Sequence, residues 1–302
     1  MDDEALPILD CHQHFYDARH LRYPVFAQRS AGFEVLVGDY SALPRVYRPE
    51  DYGQDTAGLN VVKTIWAEFI SDDPAGEVRW AGELARATGR PNGMIGLVDF
   101  RSPDLERMLD TYVAAGPIRC VRQHLGWHPT DPRLRFAPGP DLLSDAAWRR
   151  GVASLRGRGL VCEIEVFGPQ LFDLAAVAAA RPDIQFVLPV MGWPLDLTSE
   201  GRSAWKRGVA AVASQPNVAL KIFGMECIFG IRWTVAQVRP WILDAIEAFG
   251  PRRCMFASHM PICRLACTFR QLYDAYLEVI DGCSPAEKRQ LMCDTAASVY
   301  AL

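Results

Sequence analysis

Eight short runs of apolar and β-branched residues, separated by segments of helical composition, constrain this chain more than any other feature of its sequence. They are PILDCHQH (7–14), LNVVKTIWAEF (59–69), GMIGLVDF (93–100) and IRCVRQHL (118–125), followed by LVCEIEV (160–166), IQFVLPV (184–190), VALKIFG (218–224) and RCMFASH (253–259). Segments such as EVRWAGELARATG and DLERMLDTYVAAG lie between them. Strand and helix in alternation read as parallel βαβ units. Eight such units point to an α/β fold closed as a single (β/α)8 TIM barrel spanning residues 1–302. A doubly wound open sheet is the competing topology, but no Gly-rich fingerprint follows the first run.

Half of the 302 residues are hydrophobic, 23% are charged, and the net charge is −4. This balance gives no reason to expect nucleic acid or a membrane as partner. No apolar stretch approaches the roughly 20 residues of a membrane helix. The acidic opening MDDEALPI lacks the pattern of a signal peptide. There are nine cysteines, an odd number without a CxxC pair; most sit in apolar runs, and Cys120, Cys162 and Cys254 read as small buried hydrophobes in a reduced, cytoplasmic protein. Residues 17–57 are too long and too aromatic for a plain connection and are expected to cap the barrel mouth. The Pro- and Arg-rich stretch 127–143 is expected at the same end.

Catalytic groups of such barrels stand at the C-terminal ends of the strands. Here those ends carry Asp10, His12 and His14, then Glu68, Asp99 and Arg101, then Arg122, His124, Glu163 and Glu165, and finally Lys221 and His259. Residues i and i+2 of a strand share a face, so His12 and His14 should aim at one place. Four of the six histidines converge this way, while His20 and His128 fall in loops as solvated or lid residues. Charged residues inside apolar strands are costly unless paired or functional, which singles out Lys221, Glu163 and Glu165. A structural pairing of Lys221 with one of these glutamates across the barrel is the plainer alternative.

The order of motifs resembles the amidohydrolase family, in its TIM-barrel lactonase branch, which includes 2-pyrone-4,6-dicarboxylate, sugar-acid and sulfomuconolactone lactonases. ILDCHQHFYD resembles the family's DxHxHFW-D opening, IRCVRQHL its GVR-H segment, and PDIQFVLPVMGWP its fvlDHlGkP segment. NVALKIFGM resembles NVyvKlSGL, and FGPRRCMFASHMPI resembles FGpdRlmfGSDwPv. By this resemblance the family's strand-six histidine falls at Val190, and its strand-eight aspartate, a general base, falls at His259.

The resemblance implies a hydrolase that opens a lactone or related cyclic ester by activated water. His259 would be the base, or a third metal ligand beside His12 and His14. One divalent metal, zinc or manganese, and a metal-free site fit equally well. Glu163 and Lys221 are the further catalytic candidates. Arg122, His124, Trp66, Met191 and Trp193 are the substrate-binding candidates, and the aromatic ones suggest a flat, aromatic-derived or polyketide-like small molecule. A lyase, decarboxylase or isomerase using His/Glu acid–base chemistry without metal is an alternative, as is a non-catalytic binder. Homo-oligomerisation stays open.

Overall fold

A computed structural model describes residues 6–302; the acidic opening read above as lacking a leader lies largely outside them. Eight parallel strands follow one another around a barrel in chain order: β1 (Ile8–Gln13), β2 (Val61–Ala67), β3 (Gly93–Leu97), β4 (Ile118–His124), β5 (Val161–Glu165), β6 (Phe186–Leu188), β7 (Val218–Ile222) and β8 (Cys254–Phe256). Each expected run contains one of them. β6 is the shortened case: Pro189 has no N–H to give a ladder, and Val190, Met191, Gly192 and Trp193 all take left-handed backbone angles.

Alternation along the strands divides two cores. Leu9, Ile65, Ile95, Cys120, Val187 and Ala219 fill the lumen, while the opposite faces bury Trp66, Val121, Cys162 and Leu220 against the helices. The helices stop where their sequences say they should. Pro74–Thr88, for example, has Pro in its first turn, Asp73 as N-cap accepting from Gly76, and left-handed Gly89 at its end.

The barrel closes between β1 and β8. His14 N–H donates to Met260 O at 2.7 Å and His259 N–H to His12 O at 2.8 Å. Below them the buried Asp10 carboxyl accepts from Ser258 N–H (2.8 Å), Ser258 Oγ (2.6 Å) and Tyr52 Oη (2.8 Å). Burial pushes the Asp10 carboxyl up, and the Ser258 and Tyr52 bonds oppose that rise.

The expected cap between 17 and 57 is ordered and partly helical. Tyr16–Asp17 pairs antiparallel with Val46–Tyr47. Short helices at Pro24–Ala27, Ala31–Val37 and Pro49–Asp55 occupy the rest. Tyr16 stacks on Phe69 at 4.6 Å, with Tyr23 and Phe26 packed beside them.

Removing Asp10 should therefore loosen closure. Asp10→Ala orphans buried donors worth about 1–3 kcal/mol each, so urea unfolding should show a loss of about 3 kcal/mol or more. Tyr52→Phe, which deletes a single one of these donors, should cost about 1 kcal/mol.

Candidate active site

Three imidazoles meet at the closure of the barrel. The register of β1 against β2 shifts between Asp10 and Gln13, and His12 and His14 nevertheless point together, with ring centroids 4.9 Å apart. His259, just beyond β8, lies 5.5 Å from the His12 ring and 5.3 Å from that of His14. One ring nitrogen from each lies within 4.8 Å of the others. His259 reaches this place with a left-handed φ of 64°. Such a backbone costs a non-glycine residue roughly 1–2 kcal/mol, which its N–H bond to His12 helps offset.

Each ring is held by a defined partner. His14 Nδ1 lies 3.0 Å from Ala67 O and 3.1 Å from Glu68 O. Both are acceptors, so Nδ1 carries the proton and the buried Nε2, without a partner in the structure, keeps its lone pair. His259 Nδ1 lies 2.5 Å from Glu226 Oε1. The His12 ring stacks on Phe223 at 4.1 Å, and its Nε2 receives Arg122 Nη1 at 3.4 Å. Burial pushes both His12 and His14 well below the usual imidazole range; nearby Lys221 adds to this for His12, and His259 for His14.

Beneath the histidines lies a network of paired charges. Glu68 takes a short hydrogen bond from Arg122 Nε and faces His124 Nε2 at 3.0 Å, while His124 Nδ1 faces Glu165 at 3.0 Å. Lys221 Nζ donates to Glu163 at 2.5 Å, and Arg122 stands 3.7 Å from the same carboxylate. Burial alone would raise the Glu68 carboxyl, but Arg122 and His124 hold it far below its ordinary value. Burial disfavours the His124 imidazolium, yet Glu165 and Glu68 outweigh it and push its pKa up to about 9. Three cations thus face three carboxylates. Lys221 also sits 5.2 Å from the Tyr300 ring.

The sequence expectation placed other residues here that the structure turns away. Trp66 faces the helix layer with its indole N–H on Phe15 O at 2.9 Å; its neighbours Ile65 and Ala67 are the ones that face the lumen. Met191 lies in the left-handed turn after Pro189 and packs in the outer core, its carbonyl accepting from Trp205 at 2.8 Å. Trp193 stays on the lumen side, edge-on to Phe167 at 5.8 Å, with its buried indole N–H unpartnered in the structure. Glu226 and Phe223 were missed. The signal for Glu226 was an acidic residue in GMECIFG directly above a strand end, in a segment with no periodicity to mark its direction.

The Ala31–Val37 helix covers the mouth. It packs on the Met225–Phe229 helix and on the Pro132–Leu134 turn, and its Leu36 joins the lumen core. At Gly32 an added Cβ would come 2.6 Å from Arg133 O, so only glycine allows this approach. Under the cover His12 is fully buried, and the His259 side chain is 12% exposed.

The amidohydrolase model matches residues 9–302. The chain belongs to the amidohydrolase family. A Sinorhizobium fredii protein, y4mH, is 31% identical over 98% of this chain and 98% of its own. An L-fucono-1,5-lactonase of Burkholderia multivorans is 30% identical over 97% and 96%. The solved structure of a Burkholderia multivorans amidohydrolase with bound zinc superposes with a TM-score of 0.78 at 27% identity, covering 98% of this chain and 99% of that one. Lactonases are thus among the relatives of this amidohydrolase.

Among the described residues, His12, His14 and His259 form a group that could hold a divalent ion, and the orphaned His14 Nε2 is a buried donor atom of the kind a metal ligand needs. The lone pair of His12 Nε2 is shared with Arg122. An overlapping set, Glu226, Cys227 and His259, lies within the same 4.8 Å limit.

The shifts of the site histidines predict a stability maximum near pH 6.5, the imidazole value of the unfolded chain. The raised His124 pKa gives stability that is complete below about 6.5 and lost as pH rises through about 9. The lowered values of His12 and His14 give stability present above about 6.5 and lost as pH falls. Urea midpoints between pH 5 and 10 should show both flanks. His124→Phe should flatten the alkaline one.

Proposed function

We propose that this amidohydrolase opens an uncharged sugar-type lactone with activated water. The observation that carries the reading is the convergence of His14, His259 and His12 at the barrel mouth, with an unpartnered lone pair on His14 Nε2. In this reading His259 Nε2 takes a proton from water as its oxygen attacks the lactone carbonyl carbon. Arg122, the cation that touches the histidines, stabilises the oxyanion of the tetrahedral adduct. The adduct collapses by breaking the ring C–O bond, and the proton returns from His259 to the leaving alkoxide. Glu163, paired with Lys221, faces Arg122 and balances the charge below. Where a zinc or manganese ion binds, His12, His14 and His259 would hold it, and it would supply a water of lowered pKa.

Charge pairing supports a neutral substrate. Arg122, His124 and Lys221 each already face a carboxylate, so the two charges of a dicarboxylate would have to compete with Glu68, Glu163 and Glu165 for them. The L-fucono-1,5-lactonase relatives support a sugar-acid lactone as well. The case for a flat aromatic-derived ring is weakened, because Trp66 and Met191 face the outer core; Phe223, Phe167 and Trp193 are the rings that stay with the lumen.

The test is a panel of lactones followed by acid release, with 1,5-lactones of deoxy sugar acids beside an aromatic pyrone dicarboxylate. Hydrolysis of the neutral members alone is the expected result. His259→Ala should lower kcat by about 10²–10⁴-fold with little change in KM. Turnover of the dicarboxylate alone would reverse the substrate assignment, and unchanged kcat in His259→Ala would remove the base.

A further inference from the structure

We propose that Glu226 is a positioning residue: it holds the ring proton of His259 on Nδ1 and thereby directs the Nε2 lone pair toward His12 and His14. The inference rests on the reading of His259 as the working imidazole of the site and names what makes it so.

The backbone of His259 is pinned by its N–H bond to His12 O at 2.8 Å. That bond fixes where the ring starts, not which edge of it faces the other histidines. A half-turn of the imidazole about its last torsion keeps nearly the same shape and exchanges Nδ1 with a carbon. Glu226 Oε1, 2.5 Å from Nδ1, selects one of the two orientations. A carboxylate is an acceptor only, so in the neutral ring the proton sits on Nδ1 and Nε2 is left bare. This is how a carboxylate behind a histidine sets both tautomer and direction, whether the far nitrogen meets water or a metal.

Glu226 is built for that contact. It is 1% exposed and belongs to the first turn of the Met225–Phe229 helix, which begins just after Gly224. Gly224 has φ 77°, and a Cβ there would press on Val190 Cγ1 at 3.0 Å, so the turn that aims Glu226 requires glycine. Cys227 Sγ lies 3.7 Å from the same carboxylate oxygen, as a further weak donor to it.

The overlapping Glu226, Cys227 and His259 set has a different explanation from an ion site. Two ligands on one tetrahedral zinc, each at about 2.0–2.1 Å, sit about 3.3 Å apart. The 2.5 Å between Glu226 Oε1 and His259 Nδ1 is that of a direct hydrogen bond instead.

The test uses the full chain labelled with ¹⁵N-histidine, stripped of metal with a chelator and held at pH 8. Long-range ¹H–¹⁵N correlation reads which ring nitrogen carries the proton, and His259→Asn identifies the His259 signals by their loss. The wild type should show His259 protonated at Nδ1 and bare at Nε2. Glu226→Gln should keep that pattern, because the amide oxygen still accepts. Glu226→Ala, and Glu226→Leu as a variant that fills the space, should shift Nδ1 toward the lone-pair range and Nε2 toward the protonated range. A wild-type proton on Nε2 or on both nitrogens overturns the proposal, as does an unchanged pattern in both Glu226→Ala and Glu226→Leu. No substrate enters the measurement, so a failure here is distinct from a failure of the lactone reading.

Discussion

The closure of β1 on β8 is the constraint on which the rest of this structure depends. A parallel barrel gains its closed sheet only if its first and last strands meet in register, and here the meeting is made by Asp10, Ser258 and the backbones of His12, His14 and His259. The bonds that finish the fold therefore also place the three imidazoles. Each is worth about 1 kcal/mol net, but leaving one of these buried groups without its partner costs more. The left-handed backbone at His259 persists because closure holds it from both sides.

The site consists of two electrostatic layers. Below, Arg122, His124 and Lys221 are matched by Glu68, Glu163 and Glu165, so the interior of the barrel carries many charges with little net field. Above, His12 and His14 are kept neutral by burial and by the cations around them. Neutral imidazole is the form that accepts protons or binds metal, and the lower layer secures it without touching the reacting atoms, except through Arg122.

Much of this was legible in the sequence. All eight strands and the meeting of His12, His14 and His259 followed from apolar runs, their polar ends and the i, i+2 rule. Lys221 was open to a plain pairing with one of the two strand-five glutamates, and the structure pairs it with Glu163. Facing direction was less legible. Trp66 lies in an apolar run with no polar alternation to tell lumen from helix side, and packing alone decided it. Met191 follows a proline and adopts angles that no pattern of side chains announces. Glu226 acts through one contact across a loop, 33 residues from His259 in sequence, a relation that periodicity does not encode.

The cover over the mouth has a kinetic consequence. The Ala31–Val37 helix is seated on Arg133 O at the one residue that lacks a side chain, and the histidines beneath it are almost wholly enclosed. Any small molecule bound against those rings is held behind this helix, and in many enzymes the opening of such a cover, on the microsecond-to-millisecond scale, sets kcat in place of the bonds being broken.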